Sequence, residues 1–435
     1  MRYWPQGGLW RHRDFLKLWS AETISQVGTQ VSALALPLAA ILVLDASAFE
    51  VAVLGAMQFL PFVVFALPAG VWVDRLRRRP ILVASDVGRA LLLATVPLAH
   101  ALDALTMWQL YAVVFGVGVG TVFFDVSYQS YLPSLVAREQ LVDGNSKLEV
   151  SRSGAFIAGP ALAGVLVGAI SAPNAILVDA VSFLGSAAFL FRIRAHEEPP
   201  PVSSAHPSLA RELRDGLRYL LGHRYWRPLA ASIAASNFFG QVAFAVFLVY
   251  AVRTLELSPQ LIGLSLVPVG VGGVAAAVLA GRLSAQIGVG PTLIGAALVF
   301  GPATLVLPLA PASQPVPFLV AGFALLGFGG ITFNITGISL VQTLTPERLL
   351  GRLNASRRFL VWGAIPLGSL VGGALASTIG LRATLFVGAA GSSVCFLPML
   401  LSPLRSLRDM PAEQEADPFR VPLGATAPVT GGLDA

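Results

Sequence analysis

Read from its amino terminus, the chain alternates long apolar stretches with short polar ones. Runs of mainly apolar residues fall near 16–44, 51–73, 80–102, 107–124, 146–170 and 175–193, and again near 226–252, 261–283, 291–309, 316–341, 358–379 and 383–404. About 20 such residues let a helix cross the hydrocarbon of a bilayer. The pattern predicts twelve transmembrane helices. Composition removes the soluble alternative: 55% of the 435 residues are hydrophobic and 12% charged, against about 25% charged in soluble domains. The polar opening, with Arg11 and Arg13 before the first run, is too long for a cleavable signal, so the first span is expected to be retained.

The polar intervals alternate in charge. Arg11, Arg13 and Lys17 form one group, Arg75 and Arg77 to Arg79 a second, Arg138, Lys147 and Arg152 a third, and Arg348, Arg352, Arg357 and Arg358 a fourth. Intervals 45–50, 171–174 and 311–315 carry no Lys or Arg, and the others on that side offer Arg253 and Arg382. The positive-inside rule then places both termini in the cytoplasm of a multi-pass inner-membrane protein, which needs an even number of spans. Residues 1–193 read as an N-terminal six-helix half and 226–404 as a C-terminal one. Between them, 194–225 is a cytoplasmic linker in which Leu209, Leu213, Leu217 and Leu220 recur beside Arg211, Arg214 and Arg218, the pattern of an amphipathic helix on the membrane surface. Residues 405–435 read as a disordered tail.

Internal repetition supports the division. Asn145, Gly154, Gly159, Gly164 and Leu166 recur 209 positions later as Asn354, Gly363, Gly368, Gly373 and Leu375. Gly70 and Pro80 recur as Gly281 and Pro291, and Ser25 and Gln30 as Ser236 and Gln241, 211 positions later. A near-constant offset across loops and spans describes two parallel repeats of six helices. The expected fold is an all-α membrane protein with twelve transmembrane helices in two pseudo-symmetric halves.

The net charge of +6 does not read as nucleic-acid binding, because the cations are scattered rather than gathered on one face. Cys395 is the single cysteine, which excludes an intramolecular disulfide. No phosphate-binding G-K-[ST] loop is present, and His12, His100, His196, His206 and His223 sit in loops or at span ends without metal-ligand spacing. No enzyme, cofactor or metal site is expected.

Charge inside a bilayer is expensive and marks candidate function. In the first span Glu22, Gln26 and Gln30 share one helix face at i, i+4 and i+8. Glu22 is the candidate for proton coupling, hydrogen bonding near the headgroups being the alternative. Asp86 and Arg89 in the third span, and Glu149 and Arg152 at the start of the fifth, are spaced for local ion pairs that neutralise buried charge or take part in gating. Ser236, Asn237 and Gln241 on the seventh span and Asn334 on the tenth are uncharged polar groups for a pocket or for interhelical bonds. Asp179 reads as a structural hydrogen-bonding group near the outer leaflet.

The segment GVWVDRLRRR over 70–79 resembles the loop signature G-x-x-x-D-R-x-G-R-R of the major facilitator superfamily, with Arg77 where that pattern has glycine. Its second copy, from Gly281 to Gly288, lacks the acid. The resemblance implies that Gly70 permits a close helix approach, that Asp74 with Arg75, Arg78 and Arg79 latches the outward-facing state against the eleventh span, and that Arg78 pairs with an acid at the cytoplasmic end of the fourth span, here Asp125. A topological anchor is the alternative for the loop. It also implies that spans one, four, seven and ten line a cavity, bringing Ser25, Gln26, Gln30, Phe123, Asn237, Phe238, Gln241, Phe333 and Asn334 to a substrate pocket. Gly159, Pro160 and Gly164 resemble the antiporter element G-P-x-x-G-G, or serve helix packing alone. Stretches 22–28, 124–133 and 145–149 resemble the bacterial drug, macrolide and siderophore exporters. The implied function is secondary active export of a small amphipathic molecule by a monomer in the bilayer, with protons as counter-substrate. An importer of the same fold, or a receptor without transport, are the alternatives.

Overall fold

A computed structural model describes residues 8–73, 75–195, 197, 218, 221–344 and 347–409, with the backbone alone at 67, 71, 344 and 347–361. The helices are α1 (Arg13–Leu42), α2 (Ala48–Val73), α3 (Arg78–Ala101), α4 (Met107–Leu135), α5 (Leu141–Ile170), α6 (Ala172–Phe191), α7 (Trp226–Arg253), α8 (Pro259–Ile287), α9 (Val289–Leu309), α10 (Pro315–Leu344), α11 (Glu347–Ile379) and α12 (Leu381–Val394), followed by the single turn α13 (Leu397–Leu400). Twelve segments are long and apolar enough to cross a membrane, the last running through α12 and α13. The predicted amphipathic helix of the linker, apart from Arg218, and the tail beyond 409 lie outside the described residues.

Several helices outrun their apolar stretches. The fourth extends from the expected 107–124 to Leu135, the fifth starts at Leu141, and the eleventh starts at Glu347. At 1.5 Å per residue, the 29 residues of α4 reach about 43 Å, past a hydrocarbon core of about 30 Å. Local chemistry sets the ends. His12 Nδ1 accepts from the Phe15 amide at 3.0 Å, and Ser47 with Glu50 forms a reciprocal capping box at the start of α2. The α5–α6 and α11–α12 turns use the left-handed region at Ser171 (φ 74°) and Gly380 (φ 85°), 209 positions apart, so the repeat extends to an unusual backbone conformation. Only the second copy has the residue that adopts it without steric cost.

Packing repeats the same plan in both halves. α1 lies on α5 and α6, as α7 lies on α11 and α12; α3 lies on α4 and α6, as α9 lies on α10 and α12. The halves meet through α2 against α11 and α5 against α8. The chain that leaves each half straps back across its third helix. Glu197 accepts from the Arg78 and Arg79 amides at 2.6 and 3.2 Å, while the Val289 and Gly290 amides donate to the carbonyls of Arg408 and Leu407 at 3.1 and 2.8 Å.

The halves touch most closely toward the arginine-poor end. A Cβ on Gly164 would lie 2.4 Å from the Pro259 carbonyl, and one on Gly263 would lie 2.2 Å from that of Pro160; small residues let two backbones meet this way in membranes. Gly373 packs equally tightly on Ala52 and Phe49, and Arg253 bridges to Asp45 at 2.5 Å. Toward the arginine end the α5–α8 contact reaches Ile157 against Gly270. Beyond it, one face of α5 from Asn145 to Ile157 lines an open cavity of about 750 Å³.

Candidate functional site

The polar residues of the first span do share a face, and that face turns into the N-terminal half. Glu22 is buried; its Oε1 accepts from Gln26 Nε2 at 2.7 Å, and its Oε2 meets no hydrogen-bond partner among the described residues. Ser25 spends its hydroxyl on the Glu22 carbonyl at 3.1 Å. Gln30 lies over Gly159, where a Cβ would come within 2.3 Å of Gln30 Cβ. The stretch Gly159, Pro160, Gly164 therefore serves close packing twice, against α1 at Gly159 and against α8 at Gly164.

Asp125 faces Glu22, Tyr128 and Arg152 across α1, α4 and α5. This corrects the expected pairing of Arg78. Arg78 meets Glu197 instead, at 3.8 Å, because α4 continues ten residues past Asp125 and carries that carboxylate well away from the loop. Arg79 donates to the Leu190 carbonyl at 3.1 Å and to the Phe191 carbonyl, and Arg75 is exposed. Asp74 lies outside the described residues. Among the described residues, no atom lies within 4 Å of a Cβ placed on Gly70.

Both local ion pairs form, in different surroundings. Arg89 is bonded to Asp86 deep in the core. Arg152 binds Glu149 in a bidentate fashion at 2.9 and 3.0 Å, but that pair is exposed, with Glu149 on the cavity wall, which corrects the expectation that it neutralises buried charge.

Aromatic rings cross the centre. Phe123 stacks on Trp72 at 5.8 Å, and Phe62 of α2 stacks on Trp362 of α11 at 4.4 Å. In the C-terminal half Gln241 donates to Ser369 at 2.9 Å, Asn237 donates to the Ile233 carbonyl at 2.9 Å, and Phe238 stands edge-on to Phe239 at 5.2 Å. Phe333 packs on an apolar cluster and Asn334 is exposed. The polar groups of this half are thus largely engaged within their own helices or with α11.

Sequence reasoning missed how far the charged core extends. Asp179, read as an outer-leaflet hydrogen-bonding group, is buried in the same interior. Ser182 donates to its Oδ1 at 3.0 Å, and Gly28 of α1 makes the room: a Cβ there would sit 2.4 Å from Asp179 Oδ1 and 2.0 Å from Ser182 Oγ. The signal was present, since Asp179, Ser182 and Ser186 recur at i, i+3 and i+7 along one helix face. His223, placed by the sequence in a loop or at a span end, is buried against Tyr225 and Trp226; burial and the neighbouring Arg224 hold its imidazole below its usual pKa of 6.5. No group of three metal-ligating side chains occurs among the described residues.

The comparisons with known proteins agree with this architecture. The multidrug efflux pump Tap of Mycolicibacterium fortuitum is 28% identical over 372 residues, covering 82% of this chain and 86% of that one. Macrolide efflux protein A of Streptococcus pyogenes is 25% identical over 209 residues, 47% of this chain and 51% of the relative. The crystal structure of the nucleoside transporter NupG superposes with a TM-score of 0.74 at 12% identity, over 89% of this chain and 98% of that one. A family model described as transmembrane secretion effector matches residues 8–427. With twelve spans, two repeats and this match over nearly its whole length, the chain belongs to the transmembrane secretion effector family, in the exporter branch of the major facilitator superfamily.

Proposed function

We propose that this membrane transporter exports small amphipathic molecules, of the drug or macrolide class that its relatives' names carry, in exchange for protons by alternating access. Glu22 carries the reading. It is a carboxylate in a membrane-spanning helix, buried, hydrogen-bonded on one oxygen and open on the other, close to Asp125 and Tyr128. Such a group can take and release a proton as its surroundings change between two states of the bundle.

The alternation of arginine along the loops supports an orientation with the arginine end and both termini in the cytoplasm. In that orientation the cavity beside Asn145 to Gly154 opens inward. The halves would rock about the glycine contacts of α5 with α8 and of α2 with α11, and the chain would act as a monomer. Closing the arginine end would bring Gly70 and Asp74 to α11 as the latch. Trp72, Phe123, Phe62 and Trp362 would offer a substrate apolar contacts, with Gln26, Asn237 and Gln241 as polar ones.

Efflux from a pump-deficient bacterium carrying Glu22→Gln tests the coupling. The variant keeps size and hydrogen bonding and loses titration. Uphill, pH-gradient-driven export is expected to vanish while downhill exchange persists; normal concentrative export with unchanged pH dependence would remove Glu22 from the coupling role. Asp74→Asn is expected to slow transport while leaving membrane insertion intact.

A further inference from the structure

The interface of α1, α3 and α6 holds more negative than positive charge. Glu22, Asp86 and Asp179 are 6%, 0% and 1% exposed, and Arg89, 4% exposed, is the cation buried with them among the described residues. Its guanidinium bonds Asp86, lies 3.4 Å from Thr121 Oγ1, and is flanked by the Phe183 and Phe124 rings at 4.0 and 4.6 Å. One cation therefore balances one of three carboxylates. A carboxylate left ionised and unpaired in such a core costs several kcal/mol even after relaxation, so the neutral form replaces it.

Asp179 is the carboxylate whose neighbours are hydroxyls. Ser182 donates to it while sharing the same proton with the Asp179 carbonyl, and Ser32 of α1 lies beside it. The charged groups facing it from the packed helices are Asp86 and Arg89 of α3. The charges of α5, from Asp143 to Arg152, sit at the arginine end of that helix, whereas Asp179 is two turns from the opposite end of α6. A second observation comes from Asp86 Oδ2 and Ser186 Oγ. Both belong to fully buried residues, and the hydroxyl lies beside the carboxylate. The same interior thus keeps a hydroxyl beside the Asp86–Arg89 pair.

We infer that Asp179 is a second proton-binding carboxyl of this protein, taking up its proton inside the α1–α3–α6 interface beside the Asp86–Arg89 pair and separate from Glu22. Gly28 is its positioning residue, because any side chain there displaces it. The fold itself does not require the device. At the repeat-related positions, Ile233, Ala297, Phe300 and Gly388 stand where Glu22, Asp86, Arg89 and Asp179 stand in the first half. The inference deepens the proton-exchange reading but rests on buried charge, not on transport direction or on the coupling role of Glu22.

Infrared spectra of the full-length protein in lipid nanodiscs, taken from neutral to mildly acidic pH in water and in deuterium oxide, test it through the carbonyl stretch of protonated carboxyl groups. Glu22→Gln is expected to retain such a band, Asp179→Asn to lose it, and Asp179→Glu to shift it. Absence of a protonated-carboxyl band in Glu22→Gln, or a spectrum of Asp179→Asn identical to wild type, would overturn the inference. Should Asp179→Asn not accumulate, the shift in Asp179→Glu on the Glu22→Gln background makes the same assignment. A persistent Asp179 band together with normal uphill efflux by Glu22→Gln would defeat the proposed coupling and leave this inference standing.

Discussion

The two halves share helix order, pairing and straps, yet they fill the interface between their first, third and sixth helices in opposite ways. In the N-terminal half the first helix has Gly28, and the sixth sends Asp179 and Ser182 toward it. In the C-terminal half the related position on the first helix is Phe239, and the sixth answers with Gly388 and Gly391; a Cβ on Gly391 would lie 2.1 Å from the Phe239 ring. Volume has been exchanged between partners. One half holds a charged, hydroxyl-lined interior around Arg89, the other an apolar contact in which Phe300 packs on the central core. Backbone architecture is therefore indifferent to which solution is used, and the charged one is specific chemistry added to a frame that stands without it.

The largest expected effect comes from turning the charged half into its counterpart one residue at a time. Arg89→Phe leaves Asp86 buried and unpaired, which costs about 3–5 kcal/mol. The double variant Arg89→Phe with Asp86→Ala, which installs the residues of the C-terminal half, should lose less than Arg89→Phe alone in reversible denaturation. If the double variant is the weaker of the two, the equivalence of the interfaces fails. Phe239→Gly comes next, because it opens a cavity beside Gly388 and Gly391 of the kind that costs about 3–5 kcal/mol for a truncated aromatic ring. Gly28→Ala should cost about 1–3 kcal/mol by overpacking on Asp179 and Ser182. Combining Gly28→Phe with Asp179→Gly and Ser182→Gly should accumulate better than Gly28→Phe alone, as measured by the monodisperse yield after extraction.

Smaller effects separate the two straps. Glu197 caps α3 with its side chain, so Glu197→Ala should cost about 1 kcal/mol, as lost caps do. At the related strap the carbonyls of Leu407 and Arg408 cap α9, and Arg408→Ala should be close to neutral. Equal losses in thermal melts would mean that the straps do not act through capping. The smallest effect belongs to His223, whose lowered pKa favours the neutral ring in the folded state. Its contribution is complete above pH 6.5, the unfolded value, and declines as the pH falls through the lower folded value. His223→Phe should flatten that acid-side decline in melting temperature.

Much of this was legible in the residues alone. Twelve spans follow from runs of apolar residues, and the repeat from Asn145 and Asn354 or Gly70 and Gly281 predicts the paired packing. The Asp86–Arg89 pair follows from helical spacing. Helix ends were less legible, because Asp125 and the segments 125–135 and 347–357 are polar enough to drop out of an apolar run while still forming backbone hydrogen bonds within a helix. The partner of Arg78 was misread for that reason. Asp179 makes the structural hydrogen bond expected of it, with Ser182; its nearness to the Asp86–Arg89 pair was less legible, because that depends on how α3 and α6 pack.

By itself the sequence determined the membrane class, the number of spans and the two-fold plan, since each follows from local apolar length and from repeated residues, and in hydrocarbon every backbone polar group must be satisfied within its own helix. Only the tertiary structure decided which polar residues share an interior. That depends on which side chains fill the space between α1, α3 and α6, which Gly28 leaves to Asp179 and Ser182 and whose counterpart in the other half Phe239 fills. The same packing left, among the described residues, one buried cation with three buried carboxylates, a count that exists only once the helices are packed.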